Sequence, residues 1–129
     1  MCDPLTKPDQ RLIVILENDG MAGEGLALLA RDAGYNPAIF KSLAEAQQAN
    51  LQGWLAIITD FDLGLGPNGI EAAHALRADR QPAPPVLVVT ASSHSHVESA
   101  ARAAGFDLLE KPASPSFLRR WLADKARVA

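Results

Sequence analysis

The chain has 129 residues, 48% of them apolar and 21% charged, with a formal net charge of −3. That is the length of one domain, with material enough for a buried core; the slight acidity gives no pull toward nucleic acid or anionic lipid, and no apolar run approaches the roughly 20 residues of a membrane span. Cys2 is the only cysteine, so an internal disulfide is excluded and a reducing, cytoplasmic setting is expected.

Residues 1–10 are polar, carry two prolines and resemble neither a secretory signal nor a helix. They are expected to form a loosely ordered segment ahead of one domain spanning 11–129. Leu12 to Leu16 is an apolar, β-branched run closed by Glu17-Asn18-Asp19, which reads as a buried strand ending in acids. After Gly20, residues Leu26, Leu28, Leu29 and Ala33 carry helical spacing up to Gly34, a natural helix-ending residue. Tyr35 to Phe40 is a weaker strand whose Pro37 suits an edge position. Ser42, with Glu45 three residues on, predicts a capping box opening a helix that runs to about Leu51.

Trp54 to Thr59 is the next strand, and it stops on Asp60. The glycine-rich loop from Asp60 to Asn68 leads to a helix over Gly69 to Asp79, with Ile70, Ala73 and Leu76 on one face. Pro82, Pro84 and Pro85 punctuate the chain before Val86 to Val89, the most β-like run, which ends at Thr90. Ser93 or Ser95 can cap a helix reaching Ala104, and Gly105 stops it. Phe106 to Leu109 is a last short strand, followed by Lys111-Pro112; Ser114 then opens a closing helix with Leu118, Trp121 and Leu122 inward.

Strands alternating with helices over short connections predict a parallel sheet covered on both faces. A strand buried on both faces tolerates an acid only where it emerges, and in open α/β sheets the carboxyl edge is where ligands collect. Asp60 is thus the first candidate for chemistry, with Glu17, Asn18, Asp19, Asp62, Thr90 and Lys111 expected at the same edge. Clustered carboxylates repel unless a cation joins them, and a few carboxylates with waters suit Mg²⁺. An aspartate beside a lysine and a hydroxyl can also take up a phosphoryl group as an acyl phosphate.

Acids after the first strand, Asp60 after the third, Thr90-Ala91 after the fourth and Lys111-Pro112 after the fifth resemble, together and in this order, the receiver domain of response regulators. The likeness runs from about Arg11 to the closing helix. It implies the flavodoxin-like (βα)5 fold, a five-stranded parallel sheet in the order 2-1-3-4-5. It also implies a two-component signalling role, with phosphoryl transfer from a histidine kinase or histidine phosphotransfer domain. By the same likeness Asp60 is the phosphoacceptor, and Thr90 and Lys111 contact the phosphoryl group. Glu17, Asn18 and Asp60, with the backbone carbonyl of Asp62, hold Mg²⁺, and the Lys111-Pro112 bond is cis. Gly64-Leu65-Gly66-Pro67-Asn68-Gly69 and Leu108-Leu109-Glu110-Lys111-Pro112 look most similar to receivers attached to hybrid sensor kinases.

Three departures bear on function. Asn18 stands where the family has its second acid, which predicts weaker Mg²⁺ binding unless Asp19 compensates. Leu108 replaces the switch aromatic, so output is expected through the loop after Thr90. Asp62 and Ser92, two residues beyond Asp60 and Thr90, are positioned with Ala91 to tune hydrolysis. The apolar set Phe117, Leu118, Trp121 and Leu122 is wider than a narrow core stripe and could also serve a partner or a homodimer.

Rival readings are weaker. A pseudo-receiver, binding partners without accepting phosphate, is the main alternative. Asp60-Phe61-Asp62 resembles the nucleophile motif of haloacid-dehalogenase phosphatases, but that motif belongs on a first strand, so turnover enzymology is not expected. Gly64-x-Gly66-x-x-Gly69 matches a dinucleotide fingerprint, yet Asp60 to Leu63 separate it from the strand and Pro67 removes a donor. His74, His94 and His96 read as loop and surface residues rather than ligands, and Trp54 and Trp121 as packing residues.

Overall fold

The structure, a computed structural model, describes residues 11–91 and 95–127. The strands are β1 (Leu12–Leu16), β2 (Asn36–Phe40), β3 (Trp54–Asp60), β4 (Val86–Thr90) and β5 (Asp107–Glu110). The helices are α1 (Gly20–Asp32), α2 (Leu43–Ala49), α3 (Gly69–Arg77), α4 (Ser95–Ala104) and α5 (Pro115–Lys125). All strand pairings are parallel and the sheet order is β2-β1-β3-β4-β5, the order the resemblance implies. No described helix is long and apolar enough to cross a membrane.

The continuous apolar strands follow from burial on both faces. Ile13, Ile15, Ile58, Leu87 and Val89 point to the side covered by α1 and α5; Val14, Leu16, Ile57, Val86 and Val88 point to the side of α2, α3 and α4. Each fully buried aliphatic side chain of this size contributes roughly 1.5–3 kcal/mol. β2, with Pro37, and the short β5 form the two edges.

Several boundaries differ from expectation. α1 buries Gly23, Leu26, Ala27 and Ala30, an i, i+3, i+4, i+7 stripe, whereas Leu28 lies two residues round the helix from Leu26 and is 64% exposed. α2 ends at Ala49 because Asn50 adopts a left-handed conformation (φ 51°). Ser42 Oγ accepts from Glu45 N as the capping box requires, but Glu45 Oε1 accepts from Lys41 N, one residue upstream of the expected donor. The complete box opens α3: Asn68 N donates to Glu71 Oε1 (3.0 Å) and Glu71 N to Asn68 Oδ1 (2.9 Å). α3 stops at Arg77, β3 takes in Asp60, and β5 starts one residue late, at Asp107. Ser95 is already helical, and Ser93 lies outside the described residues, as do 1–10. The Lys111-Pro112 bond is cis, and so is Gln81-Pro82.

α5 closes the fold. Leu118, Trp121 and Leu122 are buried against the α1 side of the sheet and Phe117 packs partly against them, so most of that wide apolar set is used in the core. Trp121 Nε1 donates to Asp107 Oδ2 (2.8 Å). The Tyr35 hydroxyl donates to Leu122 O (3.1 Å) across 87 residues of chain. That carbonyl also accepts from Ala126 N, so it keeps a partner when the hydroxyl is removed. Tyr35→Phe is therefore expected to cost about 1 kcal/mol, seen as a lower urea midpoint with an unchanged m-value.

Candidate functional site

The ladder itself sets four functional groups side by side at the carboxyl edge. Glu17 follows β1, and its N–H donates to Phe40 O (2.9 Å), holding it in strand pairing. Asp60 ends β3, and the next N–H, of Phe61, donates to Val89 O (2.9 Å). Thr90 ends β4, and its carbonyl accepts from Lys111 N (2.7 Å). Glu17, Asp60 and Thr90 are buried polar groups, with Glu17 only 1% exposed.

Lys111 reaches back across β4 and β3. Its Nζ lies 3.2 Å from Glu17 Oε1 and 3.5 Å from Asp60 Oδ1, one ammonium serving two buried carboxylates. Glu17 Oε2 accepts from Asp19 N (3.2 Å). Burial and the neighbouring charge of Glu17 push the Asp60 carboxyl up from 3.8 to about 6, against the opposing pull of Lys111. Burial disfavours the charge on Lys111, but Asp60 and Glu17 outweigh it and hold the ammonium above its ordinary pKa.

These residues line one cavity of about 410 Å³, and the structure brings Glu17, Asn18, Asp19, Asp60, Asp62, Thr90, Ala91 and Lys111 together around it. Ser92 and His94 lie outside the described residues. Leu108 does not line the cavity; it pairs with Val88 and packs, half-buried, on the α3 and α4 side. Phe61, His96 and Val97 complete the wall, and sequence reasoning assigned none of them to the site. For His96 the missing step was the placement of the first turn of α4 beside the end of β3, which no periodicity encodes. His74 is exposed on α3.

The second-acid region differs from a set of free ligands. Asp19 caps α1, its Oδ1 accepting from Met21 N (3.1 Å). Asp62 is exposed and its Oδ1 accepts from Gly64 N (3.0 Å), stapling the loop after β3. Asn18 stands against that loop; a side chain added at Gly64 would come within 3.1 Å of its Nδ2. Among the described residues no group of three or more His, Cys, Asp or Glu side chains is disposed as a metal cage. Two carboxylates, Glu17 and Asp60, opening on a cavity with room for several waters fit a hard ion that retains waters, as Mg²⁺ does, better than one that needs an all-protein shell. A cation there would also relieve the repulsion that raises the Asp60 pKa.

Gly69 positions the loop. Its N–H donates to Phe61 O (2.7 Å), and the α3 start presses so closely on β3 that a Cβ would overlap the Asp60 carbonyl oxygen. The third glycine of the apparent dinucleotide fingerprint thus serves helix–strand packing.

No protein-family model matches the chain, and no curated protein does. Solved structures do. A chain assigned to the response regulators, from Chloroflexus aurantiacus J-10-fl, is 30% identical with a TM-score of 0.77, over 92% of this chain and 100% of that one. The chemotaxis protein CheY4 of Vibrio cholerae is 22% identical with a TM-score of 0.79, over 90% of this chain and 98% of that one. The receiver domain of the sensor histidine kinase PA1611 of Pseudomonas aeruginosa PAO1 is 24% identical with a TM-score of 0.77, over 90% and 97%; its structure has a magnesium ion coordinated in the active-site cleft. The last two are likenesses of fold.

Proposed function

The chain belongs to the response regulator receiver family, and from that premise we propose that it accepts a phosphoryl group on Asp60 from a phosphohistidine. The observation that carries this reading is the placement of Lys111 Nζ, 3.2 Å from Glu17 and 3.5 Å from Asp60, on a cavity that Thr90 also lines. A carboxylate oxygen of Asp60 attacks phosphorus; the O–P bond forms as the P–N bond of the phosphohistidine breaks, and its electron pair stays on the imidazole. Lys111, kept protonated by its two carboxylates, and the Thr90 hydroxyl meet the charge developing on the phosphoryl oxygens. Water later attacks phosphorus, releasing inorganic phosphate and restoring the Asp60 carboxylate.

Glu17 and Asp60, with the Asn18 amide oxygen and the Asp62 carbonyl, are the groups that would hold Mg²⁺. The ion, when bound, supplies positive charge to the phosphoryl oxygens. The magnesium in the cleft of the PA1611 receiver supports this. Donors are a histidine kinase or a histidine phosphotransfer domain in the cytoplasm. The chain works as a switch used once per phosphorylation, not as a turnover enzyme. Its loop glycines and β5 end support attachment to, or partnership with, a hybrid sensor kinase.

Incubation with acetyl phosphate and Mg²⁺ tests the reading: the intact mass is expected to rise by one phosphoryl group. No gain would favour the pseudo-receiver, a reading that Asn18 supports, because a neutral amide stands in place of a charged ligand and one oxygen of Asp19 is already engaged as the α1 cap. The same point predicts that Asn18→Asp binds Mg²⁺ about tenfold more tightly, since ligand charge sets affinity for hard cations. Amide chemical shifts around the cavity are the right readout, because neither Trp54 nor Trp121 lines it. Equal affinities would show that Asn18 contributes no deficit.

A further inference from the structure

His96 stands in the first turn of α4 and lines the same cavity as Asp60, Thr90 and Lys111. α4 covers the sheet face opposite α1 and α5, whereas Lys111 opens the segment leading into α5. The cavity therefore receives an ammonium from one side of the sheet and an imidazole from the other. The His96 ring meets Phe61 edge to face, with centroids 6.3 Å apart at 73°. Phe61 directly follows Asp60 and its N–H donates to Val89 O, so the His96 ring stands against the residue next to the acceptor.

A phosphoryl group on Asp60 brings nearly two negative charges and three strong acceptor oxygens into this space. Either neutral tautomer of an imidazole presents one N–H, and the protonated ring presents two. His96 is exposed, so a turn toward the cavity costs little packing. We propose that His96 is a phosphoryl-contacting residue: its ring N–H donates to a phosphoryl oxygen carried by Asp60 and draws the first turn of α4 toward the carboxyl edge. This rests on the reading of Asp60 as phosphoacceptor. It gives α4 a direct link to the phosphoryl group in a chain whose β5 carries Leu108 instead of a switch ring.

The test is a titration of the full chain with beryllofluoride, a tetrahedral stand-in for the phosphoryl group, in the presence of Mg²⁺. It is followed through the amides of Phe61 and Lys111 and through the histidine ring nitrogens. The His96 ring signals, identified by their loss in His96→Gln, are expected to shift at saturation. His96→Phe keeps a ring against Phe61 but has no N–H, and is expected to bind about tenfold more weakly, the worth of one charge-assisted hydrogen bond. His96→Gln keeps a donor and is expected to stay within about threefold of the original chain. Unmoved ring signals, or full affinity in His96→Phe, would overturn the proposal and leave the role of Asp60 intact. A complete lack of response to beryllofluoride in the unsubstituted chain would overturn both.

Discussion

Asp60→Asn is expected to raise the thermal unfolding midpoint at pH 7.5 while abolishing the mass gain from acetyl phosphate. The carboxyl titrates near 6 in the fold against 3.8 as a free side chain, chiefly because it is buried and faces Glu17. A raised carboxylate pKa means that the folded state holds its proton more tightly than the unfolded chain does. The group then costs nothing below pH 3.8, becomes progressively costly between 3.8 and about 6, and imposes its full penalty above that window. The full penalty is on the order of 2–3 kcal/mol, and the asparagine avoids it while Lys111 keeps Glu17 as partner. For a chain of this length the midpoint should rise by roughly 5–10 °C. The gain should shrink steadily from pH 7 to pH 4, and Mg²⁺ should narrow it by stabilising the original chain alone. An unchanged or lowered midpoint at pH 7.5 would mean that Lys111 fully offsets the burial of Asp60.

Gly69→Ala is expected to be the most damaging small substitution, costing about 3–4 kcal/mol. The added methyl would overlap the Asp60 carbonyl oxygen and stand 2.7 Å from Thr59 Oγ1. Both belong to β3, which pairs on both sides and cannot retreat, so α3 must lift away from the strand end. Phosphoryl acceptance should fall with stability, since lifting α3 breaks the Gly69 N–H bond to Phe61 O and releases the loop that follows Asp60. Gly25→Ala is the matched control. Gly25 lies inside α1 with nothing within 4 Å of an added Cβ, so alanine there should stabilise by about 0.5–1 kcal/mol. Urea melts of the two variants should move in opposite directions; a mild effect at Gly69 would mean that the α3 start is free to shift.

The strands were legible because a parallel sheet buried on both faces demands unbroken apolar runs, and Leu12–Leu16 and Val86–Thr90 obey that demand without ambiguity. Their ends were legible for the same reason, since Glu17 and Asp60 interrupt runs that otherwise admit no charge. Helix faces were read less well. Hydrophobicity alone groups Leu28 with Leu26 and Leu29, whereas the small residues Gly23, Ala27 and Ala30 are the ones that let α1 lie close on the sheet. Asn68-x-x-Glu71 is an N-terminal signal as clear as Ser42-x-x-Glu45, but it sits inside a glycine-rich loop that also matches a dinucleotide motif. His96 could not be found by pattern, because its place in the cavity depends on how α4 docks against the end of β3.

Lys111 and Glu17 are 94 residues apart in the chain, and the bond between them closes over β3 and β4. A polypeptide lacking either end of that span cannot assemble the crossbar. The geometry of the cavity is therefore a property of the closed sheet and of no shorter stretch of the chain.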